Sequence, residues 1–246
     1  MKKFFAVFLP ILILFSLCLT ACEQPENESN EPCEHSWVDF VDKNSKICSL
    51  CGAFDGIEIT KQDWDRALGE EIFENVTLNF TFVAEEIVDS SGGFVDVLEG
   101  AKTVQVIKFA DGKCYRKVEK YDNNGIYQYD EVFEVTGTQA NGQRKMFYDM
   151  YATLLKDYDN FVYDSVKSIY TTPNEIIVDV SKSVGEMSTK VYVSIKNAQV
   201  KFGANGKLEY FEAHHTESIY ENDTLLASIS GKIIWTYSNY GTTVIE

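Results

Sequence analysis

Three cysteines and a histidine stand close together in this 246-residue chain: Cys33, His35, Cys48 and Cys51, spaced C-x-H-x12-C-x2-C. Thiols and an imidazole at that spacing could do three kinds of chemistry. They could hold a metal, form disulfides, or exchange electrons through Cys48 and Cys51. Of the six cysteines, Cys18 and Cys22 belong to the N-terminal segment. Cys33, Cys48, Cys51 and Cys114 remain, and four cysteines allow three disulfide pairings. For a metal, Cys33 and His35 are separated by one residue, so an extended backbone sends both side chains out from one face. The twelve residues between His35 and Cys48 suit a loop that returns one ligand pair to the other. A Cys3His set closes a tetrahedral structural zinc site and leaves no position open for water. A redox C-x-x-C gains its low thiol pKa at a helix N-terminus, whereas Gly52 and the following Ala53-Phe54-Asp55-Gly56 read as a turn. Cys114 lies in a strand pattern and reads as a small buried hydrophobe.

Cys48-Ser49-Leu50-Cys51-Gly52 has the C-x-x-C-G form of a zinc knuckle. The glycine there can take a left-handed backbone conformation, which lets backbone N–H groups reach the thiolates. Residues 33–56 resemble short zinc-ribbon-like modules. That resemblance implies a structural zinc held by Cys33, His35, Cys48 and Cys51, with the disulfide and redox alternatives decided by compartment.

The N-terminus speaks to compartment. Lys2 and Lys3 precede an almost wholly apolar run from Phe4 to Leu19. The run is shorter than the roughly 20 residues of a spanning helix and matches a secretory h-region. The last four residues, Leu19-Thr20-Ala21-Cys22, resemble the lipobox of bacterial lipoproteins. The resemblance implies cleavage before Cys22 and a lipidated Cys22 thiol. Two acyl chains suffice for stable anchoring, at about 0.8 kcal/mol per buried methylene. Residues 1–21 are thus expected to be a signal peptide, and the mature chain is expected outside the cytoplasm, tethered to the cell membrane. Residues 22–32 are acidic and proline-bearing and read as a disordered linker.

Composition fits a soluble body on such a tether. The net charge is −16 and becomes −18 once residues 1–21, with two lysines and no acid, are removed. A surface that acidic argues against nucleic acid as a partner. Residues 57–246 are enough for one domain with a sizeable core, and a monomer is expected.

From residue 57 the pattern is mostly period two. In Asn75–Phe82, Val76, Leu78, Phe80 and Phe82 should point inward, with Thr77, Asn79 and Thr81 outward. Asp111-Gly112, Asn124-Gly125, Asn205-Gly206 and Asn222-Asp223 separate alternating runs, the strongest short-range hairpin signal. Two segments read as helix. Lys61–Phe73 is opened by a cap at Thr60. Arg144–Phe161 has Met146, Phe147, Met150, Tyr151, Leu154, Leu155 and Tyr158 on one stripe. An antiparallel sheet with helices on one face is α+β architecture. The lipobox, acidic spacer, Trp64-x-x-Ala67-Leu68, "FENVTLNF", the aromatic helix and the terminal "YSNYGTT" are together similar to a group of lipoproteins of low-GC Gram-positive bacteria. Their bodies resemble the incomplete β-barrel of LolA-type lipoprotein carriers. The likeness implies a curved half-barrel over residues 57–246, with an apolar cavity closed by helices.

Catalytic signatures are not visible. The chain lacks G-x-S-x-G, P-loop, G-x-G-x-x-G and H-E-x-x-H patterns, and its acids are scattered. His214 and His215 are adjacent on a strand pattern and point opposite ways. Tyr127, Tyr129, Phe133, Tyr148, Tyr151, Phe161 and Tyr163 read as core or as cavity wall. The expectation is a non-catalytic lipoprotein that binds a hydrophobic, lipid-like ligand. The alternatives are a cell-envelope interaction protein with no small-molecule site, or a thiol redox lipoprotein using Cys48 and Cys51.

Overall fold

Alternating runs joined by Asx-Gly turns become antiparallel strands wherever one face can be buried, and the described residues of this chain follow that rule. The computed structural model describes residues 33–40, 42–90, 97–181 and 189–245. The signal and linker expectations, Cys22 included, lie outside the described residues. From His35 onward the chain is one compact unit.

The unit starts with a small hairpin, β1 (Trp37–Phe40) and β2 (Asp42–Cys48). Helix α1 (Lys61–Ala67) follows, capped by the Thr60 hydroxyl, which accepts from the Asp63 amide at 3.2 Å. The expected helix to Phe73 is interrupted at Gly69 and resumes as a 3-10 turn over Glu70–Phe73. A large sheet is then built from β3 (Val76–Asp89), β4 (Lys102–Ala110), β5 (Lys113–Tyr121) and β6 (Tyr127–Thr136). After helix α2 (Gly137–Leu155) come the short β7 (Val162–Asp164), β8 (Ile169–Thr171) and β9 (Ile176–Asp179). The long β10 (Thr189–Phe202), β11 (Leu208–Glu221) and β12 (Thr224–Ser238) complete it.

The strand order among the described residues is β6-β5-β4-β3-β12-β11-β10-β8-β7, with β9 beside β10. All pairs are antiparallel and the sheet is open, so the α+β expectation holds. Two meanders meet where β3 pairs with β12, and α2 carries the chain from the β6 edge back toward the β7 edge. All four expected turn dipeptides fall between paired strands. Asn222 and Asp223 both adopt positive φ, at 48° and 62°, as a type I′ turn requires.

Helix α2 starts at Gly137, seven residues before the expected Arg144. Gly137 has φ 58° and lets the chain turn straight from β6 into helix. The intervening Thr138–Gln143 carries too few apolar residues to show helical periodicity. Phe147, Leu154 and Leu155 face the sheet as expected, whereas Met146 is exposed.

Val76, Leu78, Phe80 and Phe82 point into the core on the helix-covered face, joined there by Ile107, Phe109, Phe211 and Trp235. Trp64 sits at its centre, fully buried. Its indole N–H donates to the Leu155 carbonyl at 2.9 Å, and the rings of Phe161, Phe202 and Tyr170 lie 4.8–5.1 Å away. Thr77 and Asn79 point to the opposite face as expected. Thr77 is nevertheless buried, because the C-terminal segment folds over it and Thr243 Oγ1 lies 3.0 Å from its hydroxyl. Tyr127 and Tyr129 are neither core nor cavity wall but exposed on the edge strand β6, Phe133 is exposed there at the border of a small hollow, and Phe161 is buried in the core. No helix among the described residues is long and apolar enough to cross a membrane.

Candidate functional site

The hairpin β1–β2 assembles the Cys/His cluster. Trp37 pairs with Cys48, so the residues just before β1 lie beside the knuckle that ends β2. Cys33, His35, Cys48 and Cys51 each offer one ligand atom, all within 4.8 Å of one another. Tetrahedral zinc holds such donors about 3.5–3.8 Å apart, so an adjustment of about 1 Å would close the set. No disulfide joins any of these cysteines or Cys114. His35 Nδ1 lies 3.4 Å from Cys51 Sγ, and its ring rests against Trp37 at 4.7 Å.

The knuckle takes the conformation its glycine permits. Gly52 has φ 72°, its amide donates to the Cys48 carbonyl at 2.9 Å, and the Leu50 amide donates to Cys48 Sγ at 3.4 Å. Burial alone would raise the Cys48 thiol. The hydrogen bond with His35 and those with the Cys51, Leu50 and Ser36 backbone outweigh it and hold the thiol down at about 5. A preformed thiolate is what a metal ligand requires. Cys114 is the converse case: burial pushes its thiol up to about 11, the behaviour of an inert core cysteine.

The cluster is fastened to the sheet face opposite the helices. Phe40 and Phe54 pack on the Tyr210 ring at 5.5 and 5.6 Å, backed by Ile47, Ile169 and Ile234. The Phe54 amide donates to the Lys167 carbonyl at 2.8 Å. Below these rings Lys201 is fully buried, with its ammonium on Asp55 and, at 2.8 Å, on Glu209. Two glycines make room. A Cβ at Gly56 would stand 2.2 Å from the Ser168 carbonyl oxygen, and one at Gly203 would stand 1.9 Å from the Glu209 carboxylate.

A second feature is a groove of about 640 Å³ at one end of the sheet. Ile57, Ile59, Ala67, Ile72 and Tyr240 supply apolar wall, and Asp63, Arg66, Glu71, Glu74 and Lys207 supply charge. The groove opens between α1 with its 3-10 turn and the Asn205-Gly206 turn. It lies beside α1 at one end of the sheet, whereas between the sheet and α2 aromatic side chains pack. Its walls come from residues 57–75, 205–207 and 240–241, too far apart in the chain for any spacing to reveal.

The adjacent histidines separate as expected. His214 points away from the helices and meets Glu85 at 3.0 Å, next to the Lys232–Glu212 pair. His215 points to the helix-covered face, against the edge of Phe82, and its buried Nδ1 has no hydrogen-bond partner. Burial, reinforced by the charge of His214, holds the His215 pKa down at about 4. A folded-state pKa below the unfolded value means that the unfolded chain takes up the proton first. Stability is therefore whole above about pH 6.5 and is lost as pH falls toward 4. Glu217, two residues on, works the other way, since burial raises its pKa. His215→Phe should thus leave stability at pH 7 little changed and reduce the acid loss between pH 7 and 4.5 by about 1–2 kcal/mol. Urea melts at the two pH values measure it, and equal acid losses in both proteins would remove His215 as the cause.

The fold and the cluster together define an α+β chain with an open antiparallel sheet and, near its N-terminus, a Cys3His cluster close enough to hold a metal ion. No protein-family model matches the chain, and no curated protein is significantly similar to it.

Proposed function

We propose that this chain is a lipid-anchored, extracytoplasmic binding protein of the cell envelope, non-catalytic and monomeric, stiffened by a structural zinc and able to take an amphiphilic, lipid-like ligand. The observation that carries the ligand is the groove, whose size falls in the usual range of ligand sites. Its apolar wall suits an acyl or similar chain, and its charged groups, Arg66 and Lys207 among them, suit a polar head. The open sheet with helices on one face supports the likeness to LolA-type carriers. The lipobox ending in Cys22 supports the anchor. Zinc is favoured by the donor set: three thiols and one imidazole, all used, leave no open position, which is a structural rather than a catalytic arrangement.

A redox role for Cys48 and Cys51 is the second reading, favoured by the depressed Cys48 thiol. Native mass spectrometry of the chain expressed in a bacterium separates these readings. The expected spectrum carries one zinc, a covalent lipid increment that Cys22→Ser abolishes, and a lipid-like adduct that Ala67→Trp displaces by filling the groove. A bare reduced chain would overturn both carrier and metal. A mass lowered by two hydrogen atoms, as in a disulfide, with no zinc, would favour the thiol reading.

A further inference from the structure

The outermost strand β6 is exposed along nearly its whole length. It pairs only with β5 among the described residues, so the N–H and C=O groups along its outer side are open to a further strand. Natural edge strands are commonly guarded by lysine, proline or an inward charge. Tyr127–Thr136 contains no lysine and no proline, its register shift lies at the far end, opposite Lys120 and Tyr121, and its single inward charge, Glu131, is flanked on β5 by the cations Lys120 and Arg116. Apolar side chains stand along it instead: Tyr127 and Phe133 are 49% and 45% exposed, and Val132 is 61% exposed.

The two rows of side chains on this edge differ. On the helix-covered face Tyr129, Glu131 and Phe133 stand beside Lys120, Val118 and Arg116. A mainly polar hollow of about 380 Å³ opens there, lined by Val118 and Phe133 together with Gln105, Arg116, Lys120, Glu131 and Gln143. On the opposite face Asp130, Val132 and Glu134 stand beside Glu119, Lys117 and Tyr115. Lys117 is shared between Glu119 at 2.7 Å and Asp130 at 3.7 Å. Glu134 has no ion pair among the described residues, which leaves that row net negative.

We infer that β6 is a docking edge for an extended peptide of a partner protein, added to the sheet as a further strand, with basic and apolar side chains in alternation. Strand addition supplies main-chain hydrogen bonds, and alternate side chains supply specificity. The apolar row of such a peptide would cover Tyr129 and Phe133. Its basic row would face Asp130 and Glu134. A second copy of this chain fits poorly, because antiparallel pairing of β6 with itself about Val132 sets Asp130 opposite Glu134 twice, and pairing about Glu131 sets that acid opposite its own copy, on two chains that are each strongly acidic.

The test uses the full chain and two labelled ten-residue peptides, one alternating Lys and Val, the other alternating Glu and Val. Fluorescence anisotropy should show the Lys–Val peptide binding at least tenfold more tightly than the Glu–Val peptide. Val132→Lys and Glu134→Lys, both at exposed positions, should each weaken it several-fold, and added salt should do the same. Hydrogen exchange should slow at amides of β6 when the peptide is bound. Equal binding of the two peptides would overturn the inference, as would indifference to both substitutions or protection that appears elsewhere. Dimerisation that Val132→Lys abolishes would overturn it in favour of a second copy.

Discussion

Removing one thiol of the Cys3His cluster is expected to weaken zinc binding by roughly 100- to 1000-fold and to loosen the segment from His35 to Gly56. The magnitude follows from structural zinc sites, which contribute about 10–16 kcal/mol over four ligands, so that one ligand accounts for about 3 kcal/mol. Cys51→Ser is the informative substitution. Cys51 is exposed and its sulfur contacts His35, so the change costs the core nothing directly. Cys48 is buried, accepts from the Leu50 amide and is the last residue of β2, so its replacement would confound metal loss with misfolding. Competition with a chromophoric chelator measures the affinity, and a 1:1 stoichiometry is expected for the reduced chain. The structural readout is exchange of the Phe54 amide, which is bonded to Lys167 across the docking contact. Without metal the hairpin still holds its register, but the residues before Trp37 and the knuckle are no longer drawn together, and that amide should exchange faster. A chain that binds no zinc under reducing conditions, or whose affinity is unchanged by Cys51→Ser, would end the metal interpretation.

The Cys/His cluster could be read from spacing because a hairpin with cysteine and histidine at both ends is a local object. A twelve-residue gap closes on itself without help from the rest of the chain. The meanders were legible for the same reason: Asp111-Gly112, Asn124-Gly125 and Asn205-Gly206 sit between alternating runs that pair with their immediate neighbours. What spacing could not convey is how distant faces meet. Alternation places Tyr210 outward, yet it is buried, because the aromatic rings of Phe40 and Phe54 come from some 160 residues away to cover it. Nothing in the spacing of "AQVKFG" marks Lys201 as fully buried, because its partner Asp55 stands about 150 residues earlier in the chain. Tyr127, Tyr129 and Phe133 err in the other direction. Aromatic alternation marks a strand but does not tell whether a neighbour will lie outside it, and β6 has none among the described residues. The early start of α2 depends on a single glycine at positive φ rather than on any periodic stripe.

Lys201→Met should destabilise the chain by about 2–4 kcal/mol, an effect that Glu209→Gln in the same chain should largely reverse. Lys201 is fully buried, and its ammonium bridges Asp55 in the Cys/His segment and Glu209 on the sheet. Methionine keeps most of the volume and removes the charge. Glu209, whose side chain is 19% exposed, is then left as a largely desolvated carboxylate without its cation. Breaking a buried pair from one side costs about 3–5 kcal/mol, and Asp55, 35% exposed, can turn to water and lessen the loss. Neutralising Glu209 as well removes the stranded charge, and a buried pair replaced as a unit is often near neutral. The double substitution should therefore return to within about 1 kcal/mol of the parent, and the cycle gives the coupling directly. Urea denaturation of the four proteins measures it. The same cycle tests how the segment is held, because Asp55 belongs to the Cys/His segment while Glu209 does not. If Lys201 is the fastening, Lys201→Met should also speed exchange at the Phe54 amide with zinc still bound, and Glu209→Gln should not correct that exchange even as it restores stability. A single-substitution cost below about 0.5 kcal/mol, or no recovery in the double variant, would mean that the aromatic contact with Tyr210 alone fastens the Cys/His segment to the sheet.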